Sequence, residues 1–502
     1  MNTVSGVDSP REPTLASNAV GLREVLFQSA TAISPAGALA TSVVVGALYA
    51  GGALPLAVLF AFVPCLTVAV SIGQLAKHLP SAGSIYTYPA RALHPSAGFL
   101  VGWGYALAAG TWGPTIGLII AVQVAGVVTS GSGVAFHLVW IATFCAAAVV
   151  ALCFGYFGVQ VSAKAGTVLG ALEIAIMLAL AACLIVRAGR VNTLAPFSLR
   201  LATISGYAGW TGIFAAAVYT IQAFVGFEAA APLAEEARDP SRTIARATLA
   251  ACATIGAFYI VTTYAAVVTF GPVRFETFAA SPQHGSPWYA LARVVWGSAW
   301  IVVFLAVLNS NVGGQNAFAT AATRTWYAMG RIHLLPHSLA RVHPRWRSPH
   351  IAVLTQFAYT LIAGTLAGIV FGPVNGFILL ATICTSIPIA VYVLINLSCT
   401  LYFLRVRRQE FRWFIHGVLP LVGIAFMMPV LATVLGIGVR TWRFVAPLPY
   451  PVSLCGPILA AWFGVGVAYL AYVVYHAPQK LAQTATIFSG ARADRMTPGR
   501  TT

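Results

Sequence analysis

Of the eleven acidic residues in the chain, only Glu173 and Glu228 fall inside long apolar stretches. A carboxylate near the centre of a bilayer costs about 2.5 kcal/mol or more, and it ordinarily faces an interior cavity at a functional site. Hydrocarbon around such a group favours its neutral form and brings proton exchange toward physiological pH. Glu228 and Glu173 are therefore candidates for a proton carrier or a gate latch. The alternative for each is a fixed hydrogen-bond acceptor between helices. Two isolated carboxylates supply no paired-acid site, no His/Glu metal set and no Ser/Lys or Ser/His couple within the spans, so an enzyme is not expected. The four histidines after Arg331 (His333, His337, His343 and His350) lack a tight ligand spacing with acids or cysteines and read as a solvated loop. All eight cysteines lie in apolar segments without a CxxC pair and read as small buried hydrophobes. No metal or cofactor is called for.

The elements that must position the two acids are membrane helices. The 502 residues are 59% hydrophobic and only 8% charged, far from the quarter or so charged in a soluble domain. A formal charge of +17 suggests nucleic acid only if the basic residues share a face, and here they are spread over short loops, so no nucleic-acid partner is expected. With about twenty residues per crossing, the chain predicts about twelve spans, starting near Phe27, Leu54, Ala97, Val134, Ser162, Tyr207, Ala245, Leu291, Ile351, Val374, Ile415 and Val452. The polar start, Met1 to Asn18, lacks the pattern of a cleavable signal. With the N-terminus in the cytoplasm, the inside loops carry fifteen Lys and Arg and the outside loops seven, which favours cytoplasmic tails at both ends.

Two spans carry signs of interruption. In span one, Ile33-Ser34-Pro35-Ala36-Gly37-Ala38 combines a missing backbone donor with a permissive glycine, predicting either a break or a proline kink. In span six, Gln222 is followed by Phe224, Val225, Gly226 and Phe227, and then by Glu228. The chain after it, with Pro232, Glu235, Glu236, Arg238, Asp239 and Arg242, reads as the exit from the membrane, and Asp239-Pro240 as the cap of the next helix. Glu173 lies nine residues past Lys164, about 13 Å up a helix and near mid-membrane. Span eight holds the polar patch Asn309, Ser310, Asn311, Gln315 and Asn316, read mainly as hydrogen bonding between helices. The glycines of span three, Gly102, Gly104, Gly110, Gly113 and Gly117, read as close-packing positions.

Interrupted helices leading two successive sets of five spans point to an inverted-repeat transporter, in which half-helix N-termini meet an anionic group and unwound carbonyls a cation. A zwitterion fits such a pair, with its carboxylate against backbone N–H groups around Pro35 to Ala38 and its ammonium against carbonyls around Phe224 to Phe227. Phe224 and Phe227 are expected to give part of the pocket an apolar lining.

Four stretches carry a family likeness: FVGFE at Phe224 to Glu228, EEARDPSRTIARA at Glu235 to Ala247, RTWYAMGR at Arg324 to Arg331, and SIGQLAKHLPSAGSIYTY at Ser71 to Tyr88. Here the chain resembles the amino acid–polyamine–organocation superfamily of permeases, over roughly residues 21–412. The resemblance implies an all-α polytopic membrane fold with a five-plus-five core and two added helices. The expected division is a tail at 1–24, first repeat at 25–190, second repeat at 191–408, added helices at 409–476 and a tail at 477–502.

It also implies alternating-access transport of amino acids or related amines across the cell membrane. Proton symport, exchange and a non-transporting sensor on the same scaffold all remain open, as does oligomeric state. The substrate site implied is Ile33, Ser34, Pro35, Ala36, Gly37, Ala38, Phe224, Val225, Gly226 and Phe227, with Glu228, Glu173 and Gln222 as coupling or gating residues. The chain departs from the family in three places. Ser34-Pro35-Ala36-Gly37 replaces a Gly-Ser-Gly type sequence, Gln222 stands where arginine/agmatine exchangers have a gating tryptophan, and Glu173 corresponds to a lysine that replaces sodium in some members.

Overall fold

A computed structural model describes residue 29 and residues 32–79, 84–129, 133–158, 163–229, 240–279, 285–331, 334–438, 441–442 and 445–476. Both tails and the expected exit from span six, Pro232 to Asp239, lie outside the described residues. Helices and connecting turns make up the described chain, with no strand among these residues. Among the described residues, eleven stretches are long and apolar enough to cross a membrane. The first, Pro35–Ala76, has 42 residues, about twice what one crossing needs. It folds as two crossings, because Gly51 turns the chain at φ 54° after Ala50. Twelve spans result, so the fold is an all-α polytopic membrane fold.

The spans run in order. Span one contains the short helices Pro35–Ala40 and Ser42–Ala50, and span two is Leu54–Ala76. Spans three, four and five are Pro95–Val128, Gly133–Phe157 and Ala163–Ala188. Span six is Trp210–Gln222 with its continuation through residue 229, and span seven is Pro240–Phe270. Span eight, expected from Leu291, starts at Trp300 and ends at Arg331. The residues before it form a separate ten-residue helix, Pro287–Trp296, which ends where Gly297 adopts φ 58°. Spans nine to twelve are His350–Phe371, Pro373–Arg405, Leu419–Leu435 and Cys455–His476.

Local sequence sets several of these boundaries. Pro95 and Pro373 occupy first-turn positions, where a missing N–H costs nothing, and His94 accepts from Ser96 N–H to cap span three. Gly436 ends span eleven in the left-handed region.

Burial separates an inner group from an outer one. In spans six and ten, 83% of the most apolar window is buried, against 17% in spans four and twelve. Exposed Val134, Leu138 and Val149 on span four are the surface expected against hydrocarbon. Small residues let the inner spans approach closely. Gly73 of span two faces Ala245 of span seven, and Gly423 of span eleven faces Thr67 and Asn396. Asn396 is fully buried; its carbonyl accepts from Ser71 Oγ at 2.7 Å and its amide donates to Thr67 Oγ1 at 3.3 Å. Replacing Asn396 by leucine should cost about 0.6 to 1.7 kcal/mol, the range for interhelical hydrogen bonds in membranes. Gly423→Val, which drives methyl groups into the same contact, should cost about 1–3 kcal/mol. Thermal unfolding in detergent checks both, and unchanged melting would contradict this packing.

Candidate functional site

Span one is interrupted, which decides between a break and a kink. Ser34 sits at φ 51°, ψ 65°, a left-handed conformation costing a side-chain-bearing residue about 1–2 kcal/mol, and Pro35 then starts a new helix. That helix lasts six residues. Thr41, at φ −123°, ψ −84°, interrupts the span a second time, with no proline or glycine at that position to announce it. Span six unwinds at residues 223–226, where Gly226 takes φ 118°, and continues as a tight turn through residues 227–229. Only glycine suits that dihedral, and only glycine suits the space. A Cβ on Gly226 would lie 2.8 Å from the Ala32 carbonyl carbon and 2.9 Å from Ile33 N. The two breaks therefore touch backbone to backbone.

Backbone groups freed by the breaks need partners in a membrane. Gly226 N–H donates to Glu228 Oε2 at 2.9 Å, so this acid folds back onto its own interruption. Ala223 O accepts from Tyr259 Oη of span seven at 2.9 Å. Gly37 O accepts from Thr41 Oγ1 at 2.8 Å, and Leu39 O from Trp288 Nε1 at 3.2 Å. Ser286 Oγ reaches Ala40 O at 3.5 Å. The short helix before span eight thus supplies Trp288, with Ser286 just ahead of it, to the second interruption of span one.

Glu173 serves the first interruption. Its carboxylate accepts from Ser310 Oγ at 2.9 Å and Asn309 Nδ2 at 3.4 Å, both on span eight, and faces the backbone N–H of Ala36. Span eight also holds span one from the other side. Gly314 leaves room for the Ser34 hydroxyl, and a Cβ on Gly37 would lie 2.5 Å from Asn311 Oδ1. Asn311 Nδ2 in turn donates to Gln123 Oε1 of span three at 3.0 Å.

Between these elements lies a cavity of about 40 Å³. Span one contributes Ile33, Ser34, Ala38, Thr41 and Ser42, and span six contributes Gln222 and Val225. Trp112 and Thr115 of span three, Asn311 and Phe318 of span eight and Phe377 of span ten face them. Trp112 and Phe318 stack with centroids 4.4 Å apart and form one wall. Among the described residues, none that lines it is charged.

Of the sequence-predicted residues, Ile33, Ser34, Ala38, Gln222 and Val225 come together on the cavity. Pro35, Ala36, Gly37 and Gly226 shape the breaks beside it. Phe224 and Phe227 are not its lining, contrary to expectation. Phe224 stacks on Phe62 and meets Tyr259 edge-on, while Phe227 packs against Tyr392, because burial against spans two, seven and ten offers each ring more contact. A second cavity of about 30 Å³, between spans three, four, eight and nine, contains none of the predicted residues.

Twelve spans with two facing, interrupted helices around an uncharged cavity of mixed polar and apolar lining define a multi-pass membrane transporter. Residues 24–474 match the sequence model of the amino acid permease family, and the chain belongs to that family. It is 29% identical over 321 residues to the low-affinity putrescine importer PlaP of Escherichia coli (strain K12), covering 62% of this chain and 67% of that protein. It is 27% identical over 338 residues to the branched-chain amino acid permease BcaP of Bacillus subtilis (strain 168), covering 64% and 69% respectively. An uncharacterized transporter of Mycobacterium tuberculosis is 29% identical over 405 residues, covering 78% of this chain and 83% of its own.

The site predicts a steric outcome. Gly226→Val and Gly37→Val should reduce uptake at least tenfold while the protein still reaches the membrane, since each places carbon inside a backbone or Asn311 contact. Uptake by membrane vesicles at matched protein levels measures this, and near-normal uptake by both variants would contradict the site.

Proposed function

We propose that this protein moves amino acids or related amines across the cell membrane by alternating access, with both termini in the cytoplasm and the two five-span sets, 25–190 and 191–408, moving about the cavity. The observation that carries this reading is the backbone contact between the breaks of spans one and six beside an uncharged cavity of mixed polar and apolar lining. The substrate carboxylate meets the start of the helix at Pro35, where backbone dipoles leave partial positive charge. Its ammonium meets carbonyls of the unwound turn from Phe224 to Phe227. The matching of the family over 24–474, and relatives named as a putrescine importer and a branched-chain amino acid permease, support the substrate class.

Coupling to protons follows from the position of Glu173. Its carboxylate faces the same helix start that the substrate carboxylate needs. Ionised, Glu173 places a second negative charge there and opposes binding; protonated, it leaves the helix end to the substrate. Uptake by the wild type should therefore rise as pH falls. Glu173→Gln, which resembles the protonated state at every pH, should flatten that profile. Glu228→Gln keeps an oxygen for Gly226 N–H and should retain the profile, whereas Glu228→Ala removes the acceptor and should lower uptake severalfold at all pH values. Proteoliposome uptake from pH 5 to 8 tests the set. A profile unchanged in Glu173→Gln removes this residue from coupling, and no flux at any pH would favour a solute sensor on the same scaffold.

A further inference from the structure

The side chain of Gln222 is only 3% exposed and lines the cavity, yet neither its Nε2 nor its Oε1 has a hydrogen-bond partner among the described residues. Buried amides are almost always paired. This one is the last residue of the intact part of span six, immediately before the unwound residues, on a helix that is itself packed in the core. Its unmet donor and unmet acceptor therefore present a pair of hydrogen-bonding valences to whatever occupies the cavity.

The rest of the lining limits what that occupant is. Neither intramembrane carboxylate is among the lining residues: Glu228 accepts from Gly226 N–H, and Glu173 accepts from Ser310 and Asn309 behind the helix start at Ala36. Among the described residues no carboxylate lines the cavity, so a second ammonium, as in a diamine or a basic amino acid, would be buried there without a counter-charge.

Building on the reading of this cavity as the amino acid site, we infer that Gln222 sets side-chain specificity, selecting amino acids whose uncharged side chain ends in a hydroxyl or amide. Such a group both donates and accepts, which meets the two unpaired atoms of Gln222 at once. An isosteric apolar side chain would leave the amide buried and unpaired, and sites built around a hydrogen bond reject such analogues strongly.

Threonine and valine have nearly the same shape and differ in this property alone. In proteoliposomes at fixed pH, unlabelled threonine should compete with labelled threonine about tenfold or more better than valine does, and putrescine and lysine should compete no better than valine. Gln222→Leu should remove the preference for threonine over valine. Gln222→Glu should bring lysine or putrescine into competition, by placing a carboxylate where the amide stood. A wild type that takes threonine and valine equally, or a Gln222→Leu variant that loses all amino acids in the same proportion, overturns the inference while leaving the amino acid site in place. Absence of competition by any amino acid in the wild type overturns both.

Discussion

Inside hydrocarbon no water is at hand to satisfy a backbone N–H or C=O, so a membrane helix is interrupted only where the protein itself supplies the missing partners. Much of this structure answers that constraint. Glu228 returns to Gly226 N–H, Tyr259 crosses from span seven to Ala223 O, and Trp288 comes from a separate short helix to Leu39 O. Thr41 closes onto Gly37 O within its own span. The interruptions persist because four different elements are committed to them, and they meet at Gly226 because only a residue without a side chain allows the backbone of span six to lie against Ala32 and Ile33.

The two acids then fall into place as parts of the same device. A lone carboxylate in a bilayer is expensive, and each of these is held by hydrogen bonds beside a break. Glu228 accepts from Gly226 N–H within its own span. Glu173 ties spans five and eight to the start of the second part of span one, so its charge is felt where an anionic substrate group would bind. Under the proposed coupling, a proton on this residue changes the affinity of the helix end for substrate, and the substrate changes the affinity of Glu173 for a proton by the same factor.

The sequence made parts of this arrangement legible through local chemistry. Pro35 and Gly37 in span one, Gly226 in span six, and two acids amid apolar residues are signals that need no partner to be read. Twelve crossings follow from apolar length. Other parts depend on contacts between residues far apart in the chain. The second interruption at Thr41 has no proline or glycine, and the roles of Trp288, Ser286 and Tyr259 arise only once spans one, six and seven are packed together. The direction of Phe224 and Phe227 failed for the same reason: an aromatic residue beside a break can face a cavity or the core, and ring contacts with Phe62, Tyr259 and Tyr392 decide it. Span eight's polar patch and Glu173 were each visible singly, whereas their hydrogen bonds belong to the fold.

The account rests on one location for the solute, between the touching interruptions of spans one and six. A cryo-electron microscopy structure of the purified protein in lipid nanodiscs with a competing amino acid measures that location directly. Density bounded by Ser34 to Ala38 on one side and Gln222 to Gly226 on the other is the expected result. A solute bound anywhere else, with spans one and six running unbroken through the bilayer, would contradict it.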